Sequence, residues 1–437
     1  MKGLLFTYVT TVGGALAGLF NPFYGLLCYV SFAIIRPEAM WPWAVPKGRY
    51  SMILAASMMV GFALSKQANF RFGKSFSVAA LLLTFLGWSY FEAYFPQNQF
   101  LAWDYVERLW KIVLPFAIGL CCINDTKQLK QLAWTIIVSQ GYVAYELNSY
   151  YFSGFNILRY QGFADMDNNS AAIGMVTSIG ISFFMGLHAE KLWQRGIALG
   201  FCLLIGHCIL FSFSRGGMLG AIVAGMTTLL VIERTPKMYG LLTVAAIGAA
   251  VLAGPEVRER FMTTFVKKGE VREASAQSRI DLWKDCWDVT KQDPVMGCGP
   301  NHWPVIAPRY GWPYGKEAHS LWVQTLAELG FPGLILYLGF YLLCIFRLWL
   351  LTWKSALIED PWHRYVARMA IVGLCGFVVS AQFVSLEALE IPYYTALLGC
   401  GALKLASQRQ YALADDPAEL PHPEAAGYPT PQLAFGV

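Results

Sequence analysis

Ala318-His319-Ser-Leu-Trp-Val-Gln-Thr-Leu-Ala-Glu328-Leu-Gly-Phe-Pro-Gly333 stands where a long polar loop gives way to a hydrophobic run. The loop begins near Gly254 and ends at Ala318, and it gathers Arg, His, Asp and Glu in an otherwise oily chain. Ionisable groups inside a membrane are costly unless paired or facing water. A polytopic protein that collects them in one loop, at one face, has placed its chemistry there.

Working outward, the 437 residues are 56% hydrophobic and 14% charged, with a mean hydropathy of +0.45. A soluble domain carries about 25% charged residues, so the chain reads as an all-α, polytopic membrane protein. Apolar runs of roughly 17–25 residues, the length a bilayer requires, recur from 3–20 and 23–36 to 366–385 and 390–406 and predict about 12 or 13 crossings. The first two runs are short and read as readily as a hairpin as two spans. Met1-Lys2 leads into apolar sequence without a small-residue cleavage site, so the start reads as membrane-embedded.

Lys and Arg near the span ends set the orientation. Lys66, Arg71, Lys74, Lys127, Lys130, Lys191, Arg195, Arg234, Lys237, Arg347, Lys354, Arg364, Arg368, Lys404 and Arg409 fall in alternate connections, which are read as cytoplasmic. The 96–108 and 148–169 connections, the Ser214-Arg215 turn, the 254–318 loop and the 386–389 turn then share the extracytoplasmic face. Arg36, Lys47 and Arg49 fit this partition poorly. Three regions follow: 1–150, transmembrane with few intramembrane charges; 151–406, which carries nearly every unusual polar residue; and 407–437, a Pro- and Ala-rich tail expected to be disordered and cytoplasmic.

The ten cysteines are scattered and mostly within apolar runs, where they behave as small hydrophobes. Cys286 and Cys298 share the loop, and a disulfide between them is open if that loop is extracytoplasmic. No zinc or haem spacing is present, so neither a metal site nor a cofactor is expected, and no nucleic-acid partner is expected. Internal repeats of the kind that build many transporters are also missing from the sequence.

Five places carry candidate chemistry. Arg215, in Phe211-Ser-Phe-Ser-Arg215-Gly-Gly, opens a span, where free N–H groups favour an anion and the glycines permit its close approach. The plainer reading is an arginine snorkelling to headgroups. Arg279 belongs to an amphipathic stretch with Leu282, Trp283 and Trp287 on one side, which suits a helix resting on the membrane surface with Arg279 toward a lipid phosphate. Its plain alternative is a solvated face, which Lys267, Lys268 and Arg272 represent. His319 is placed to accept a proton from an attacking hydroxyl, or else is a hydrogen-bonded structural histidine. Glu328 lies more than two turns further on, a carboxylate in need of a partner such as Arg215 or His319; His302 and Arg309 have weaker context. Arg159 and the Asp165-Met-Asp167-Asn168-Asn169 run face the same side, the run also reading as a helix N-cap. Several arginines, one histidine and no metal cluster suit a diphosphate held by guanidinium groups.

On these residues the chain resembles the O-antigen ligase and polymerase superfamily. The similar pattern is Ser-Arg215-Gly-Gly, Ser-Arg279-x-x-x-Trp283, Pro294-Val-Met-Gly297-Cys-Gly299, and Ala-His319-Ser-Leu followed by Glu328-Leu-Gly330-Phe-Pro-Gly333, with Gly162 to Asn169 similar to an element before a mid-chain span. The order agrees over about 150–335, and the first 150 residues look like the branch of exosortase-associated O-glycosylation ligases. Ser320 departs from the pattern, where relatives often carry Asn. The resemblance implies a GT-C-like, metal-independent, inverting glycosyltransferase of the inner (cytoplasmic) membrane. It would move a glycan from undecaprenyl diphosphate to a hydroxyl on a lipid A core, protein or polysaccharide at the periplasmic face, among membrane lipids. By position, Arg215, Arg279 and His319 would be catalytic, with Arg159, Asn169, Glu328 and His302 binding substrate. A polymerase of the same superfamily shares the donor chemistry and differs only in acceptor. A lipid-linked glycan flippase belongs to another class and predicts polar residues spread through span interiors.

Overall fold

The computed structural model describes residues 1–262, 274–353, 360–386 and 389–415. Among them the chain is helical, and extended pairing is confined to one isolated bridge between Phe163 and Met166. Lys267, Lys268, Arg272 and Lys354, together with the segment from 416 onward, lie outside the described residues. The first part of the predicted tail is helical, because the last helix runs Ile391–Asp415.

Each apolar run predicted from sequence falls on one helix. Among the described residues six helices are long and apolar enough to cross a membrane: Lys2–Phe20, Gly73–Glu92, Asn168–His188, Leu192–Phe211, Leu321–Trp353 and Pro361–Phe383. The rest are shorter or carry more charge. Pro22–Ile35, with 14 residues, reaches about 21 Å at 1.5 Å per residue, short of a ~30 Å hydrocarbon core. It folds back on Lys2–Phe20 through Asn21, whose side chain caps Phe23 N–H at 3.0 Å, so the N-terminus begins with a helical hairpin.

Helix starts follow the local chemistry. Asp125 and Gln128 form a capping box, and Asn98, Asp167, Ser214, Thr235 and Asp360 each cap a helix with a side-chain oxygen. Asn168–His188 is the central helix, 83% buried over its most apolar window, against 22% for neighbouring Leu192–Phe211. It packs on Pro361–Ser380 so closely that a Cβ on Gly373 would lie 2.2 Å from Thr177 O; small residues allow such approach where no hydrophobic force drives helices together. Pro236–Leu252 buries no residue and bends by 97° into Gly254–Met262.

The connections sort into two faces. On one, Lys130 pairs with Glu190 at 2.7 Å, Arg368 with Glu233 at 3.3 Å, Thr126 bonds Asp360 at 2.6 Å, and Lys404 caps Leu120 O at 2.7 Å. On the other lie the 93–98, 153–168 and 211–215 connections, the long loop and Glu390. Arg36, which fits the charge partition poorly, is on this second face, where it donates to Ala164 O at 3.2 Å.

Candidate functional site

Leu321–Trp353 is 33 residues long, too long for one crossing, and it is broken at Gly330, with φ 61 and ψ −170. That conformation is open only to glycine. Pro332 follows without an N–H. The break releases three carbonyls, which are taken by partners from elsewhere. Cys298 N–H donates to Ala327 O and Gly299 N–H to Glu328 O, each at 2.9 Å, and Trp88 Nε1 donates to Leu329 O at 3.1 Å. Phe331 N–H turns away to Pro294 O at 2.9 Å. Pro294–Gly299 and Glu328–Gly333, which read as separate motifs in the sequence, are therefore two sides of one docking joint. The break divides the helix into 321–329, which docks on the loop and, through Trp322 Nε1 to Val378 O at 2.9 Å, on Pro361–Ser380, and the longer apolar run that follows.

The same joint explains Glu328. Its carboxylate is fully buried and accepts from Asn301 N–H at 2.9 Å, Trp303 N–H at 3.1 Å and Gln324 Nε2 at 3.1 Å. It anchors the 297–303 segment, and its environment is loop backbone where the sequence suggested an intramembrane carboxylate. His302 is also inside the scaffold. Its Nδ1 lies 2.7 Å from Pro300 O and its Nε2 accepts from Asn98 N–H at 3.3 Å.

Gln324, one turn before Glu328, continues the chain of bonds. Its Oε1 accepts from Ala318 N–H at 3.1 Å, while Ala318 O accepts from Trp283 Nε1 at 2.9 Å. Ser320 caps the following helix, its Oγ accepting from Val323 N–H at 3.3 Å. Serine and asparagine serve equally as caps, so the departure at Ser320 retains that function. His319 is thus gripped through both neighbours, in a left-handed conformation with φ 51. Its imidazole is pushed down to about 4, first by burial and then by the charges of Lys316 and Arg279, while Asp167 opposes the shift. Near neutral pH it is uncharged and able to accept a proton.

Arg279 and Trp283 lie one turn apart on Ala274–Gln292; Trp283 bonds the carbonyl next to His319, and the charge of Arg279 reaches the imidazole. Leu282, Cys286 and Val289 of this helix pack with Trp303, Ala318 and Ala327 in a small core internal to the loop, while Trp287 is exposed beside Phe331. Cys286 and Cys298 are free thiols, and burial pushes the Cys286 thiol up.

Arg215 begins the Arg215–Val231 helix, and Ser214 caps it by accepting from Gly217 N–H at 3.1 Å. Asn168 ties this turn to the 162–169 segment by donating to Ser212 O at 2.8 Å, and Asn156 donates to Phe211 O at 2.7 Å. Arg159 stacks 4.0 Å from the Phe213 ring and pairs with Glu256 at 3.4 Å. Asp167 caps Ser170 N–H at 2.8 Å, and Asn169 bonds Asp167 at 2.9 Å. The 162–169 segment is the common neighbour of the Arg215 turn, through Asn168, and of His319, through Asp167. Arg309 sits in the short helical turn Ala307–Tyr310 within the loop.

Sequence reading singled out Asn169 and passed over Asn168, Gln324 and Trp88. Gln324 carried a signal: it is spaced four residues from Glu328, as hydrogen-bonded helix pairs are. Asn168 and Trp88 carried none.

The fold and this face define an all-α, multi-pass membrane protein with a basic, histidine-bearing site at one boundary. Residues 200–338 match the family described as O-antigen ligase, which places this part of the chain in the O-antigen ligase superfamily. That match contains Arg215, Arg279, His302, His319 and Glu328. Residues 1–146 match a family of unknown function. No curated protein matches the chain. The protein is accordingly a membrane enzyme of ligase or polymerase type.

Proposed function

We propose that the protein transfers a glycan from undecaprenyl diphosphate to an acceptor hydroxyl, with the loop face in the periplasm and the chain in a bacterial inner membrane. The observation that carries this reading is His319: a neutral imidazole fixed by Ala318 and Ser320, with Arg279 beside it. The acceptor oxygen attacks the anomeric carbon and its proton passes to His319. The bond from that carbon to the diphosphate oxygen breaks, and undecaprenyl diphosphate leaves. One displacement inverts the anomeric centre. Negative charge grows on the diphosphate as the bond breaks, so Arg215 and Arg279, fixed in place beforehand, supply the main electrostatic stabilisation. Arg159 is assigned to the donor, Asn169 to substrate at the mouth of the 162–169 segment, and Glu328 and His302 to substrate indirectly, through the segment they hold. Residues 1–150 form an N-terminal transmembrane region and 151–406 the catalytic membrane region.

The acceptor decides between ligase and polymerase. Similarity of the N-terminal region to a ligase branch favours a lipid A core or protein hydroxyl over a growing polysaccharide. The test is transfer in proteoliposomes given an undecaprenyl-diphosphate glycan and a panel of acceptors, with EDTA present. Release of undecaprenyl diphosphate by the wild type, with a loss of about 10²-fold or more in His319→Ala, Arg215→Ala and Arg279→Ala, is expected. Equal behaviour of all four proteins, or lipid translocation alone, overturns the reading in favour of a flippase.

A further inference from the structure

Arg36 is one of three residues that fit the charge pattern poorly, with Lys47 and Arg49, and the function above gives it no task. It ends the Pro22–Ile35 helix in a left-handed conformation with φ 47, immediately before Pro37. Its Nη1 donates to Ala164 O at 3.2 Å, a bond across 128 residues. The guanidinium also lines a cavity with Gln140 and Glu390 beneath the 162–166 turn. Glu390 accepts from Tyr394 Oη at 2.6 Å, and Arg36 is the cation whose charge reaches it.

The turn that Arg36 holds is strained. Ala164 and Asp165 are both left-handed, with φ 55 and 63, although neither is glycine. The turn is closed on itself by Phe163 N–H to Met166 O at 2.9 Å and Met166 N–H to Phe163 O at 3.0 Å. Gly162 precedes it at φ 75, where a Cβ would meet Met166 O at 1.9 Å. Such a conformation persists only when its surroundings fix it. Arg36 grips the apex carbonyl of the turn, and Asn168 grips the far end at Ser212. Between these two bonds stands Asp167, which caps the next helix at Ser170 N–H and whose charge reaches His319.

We propose that Arg36 is a positioning residue: it holds the strained 162–167 turn so that Asp167 and Asn168 keep their places against His319 and the Arg215 turn. A residue from the N-terminal region thereby sets the geometry of the transfer site. The inference rests on the glycosyl-transfer reading for its effect on rate, but not for its effect on structure.

The experiment uses the full chain in nanodiscs, comparing wild type with Arg36→Ala and Arg36→Lys, which keeps a donor for Ala164 O. Two readouts are taken. Hydrogen exchange of peptides covering 158–170 is expected to quicken in Arg36→Ala, with the peptides of Gly73–Glu92 unchanged, and to stay near wild type in Arg36→Lys. In transfer, kcat is expected to fall about 10- to 100-fold in Arg36→Ala, with the donor KM moved far less and kcat largely restored by lysine.

The pH profile separates positioning from a general loss of folded protein. Four charged groups face or neighbour His319: Lys316, Glu317, Arg279 and Asp167. Freeing the turn takes Asp167 away and moves the acid limb of kcat/KM to lower pH, whereas loss of folded protein lowers the amplitude and leaves the limb in place. Unchanged exchange at 158–170 in Arg36→Ala overturns the proposal, as does quickening spread over the whole bundle. If no variant and no wild type transfers glycan while local exchange still responds, the functional reading has failed and the strut stands.

Discussion

Removing the Glu328 acceptors is the most direct test of the joint that builds the site. In Glu328→Gln one oxygen remains and the other becomes an NH₂ group. Oε1 serves Trp303 N–H and Gln324 Nε2, while Oε2 serves Asn301 N–H. An amide satisfies one of these sets and turns its own N–H toward a buried N–H in the other. A buried donor left without an acceptor costs about 1–3 kcal/mol, which is roughly a 5- to 150-fold increase in local opening. Glu328→Ala strands all three donors, but the 297–303 segment escapes part of that cost by undocking into water. The penalty is therefore expected as local opening, with the transmembrane bundle intact. Hydrogen exchange of peptides covering 295–304 measures it, with Asn168–His188 peptides as the internal standard. Transfer falls in the same order, Ala below Gln, at an unchanged melting temperature. Exchange at 295–304 that is identical in wild type and both variants refutes the reasoning, because Glu328 then anchors nothing.

Three further outcomes are expected. Since His319 is pushed down to about 4, it stays neutral as pH falls through the ordinary histidine range, and kcat/KM should hold from pH 8 to about 5.5 before declining with a midpoint near 4; a limb near 6.5 would show that the fold does not disfavour the cation. Trp283→Phe keeps the ring but loses the donor to Ala318 O, so it should cost about 1 kcal/mol locally and lower kcat more than donor affinity, a split read from saturation kinetics. Gly330→Ala places a Cβ 2.1 Å from Val295 O at a φ closed to alanine, and should loosen the joint by more than ~3 kcal/mol, seen as protease cleavage within 294–303 at concentrations that spare the wild type.

The helices were legible because their cause is local. Apolar length and caps such as Asp125, Asp167 and Ser214 act within a few residues, and the predicted runs fall on observed helices, although the connection read at 96–108 is helical from Gln99 onward. The site was legible only in its list of residues. Arg279 and His319 were chosen for their chemistry, and the structure brings them together. Glu328 reads as an intramembrane carboxylate because nothing near it in sequence shows that 297–303 folds back onto it. Gly330 and Pro332 hold half of that information: a helix interrupted by both must surrender carbonyls, but which donors take them is decided 30 residues upstream and, at Trp88, some 240 residues away. Asn168 was passed over for Asn169 because adjacent identical side chains differ only in the direction they point.

The first 146 residues reach the candidate site at three places. Trp88 donates to a carbonyl released at the Gly330 break, Asn98 donates to His302 beside the Glu328 anchor, and Arg36 donates to the 162–166 turn. Each bond ends on a different segment of the candidate site, and each leaves from a different connection or helix of the N-terminal region. A region that merely anchored the chain in lipid would have no reason to bond to three parts of one site. Two of the groups it meets, Leu329 O and Ala164 O, belong to irregular backbone, where an unmet C=O is costly, and the third is the His302 ring. The broken helix and the strained turn thus depend on donors that residues 200–338 do not contain. The family boundary at 146 is a boundary in sequence, and the two parts form one structural unit around the loop face.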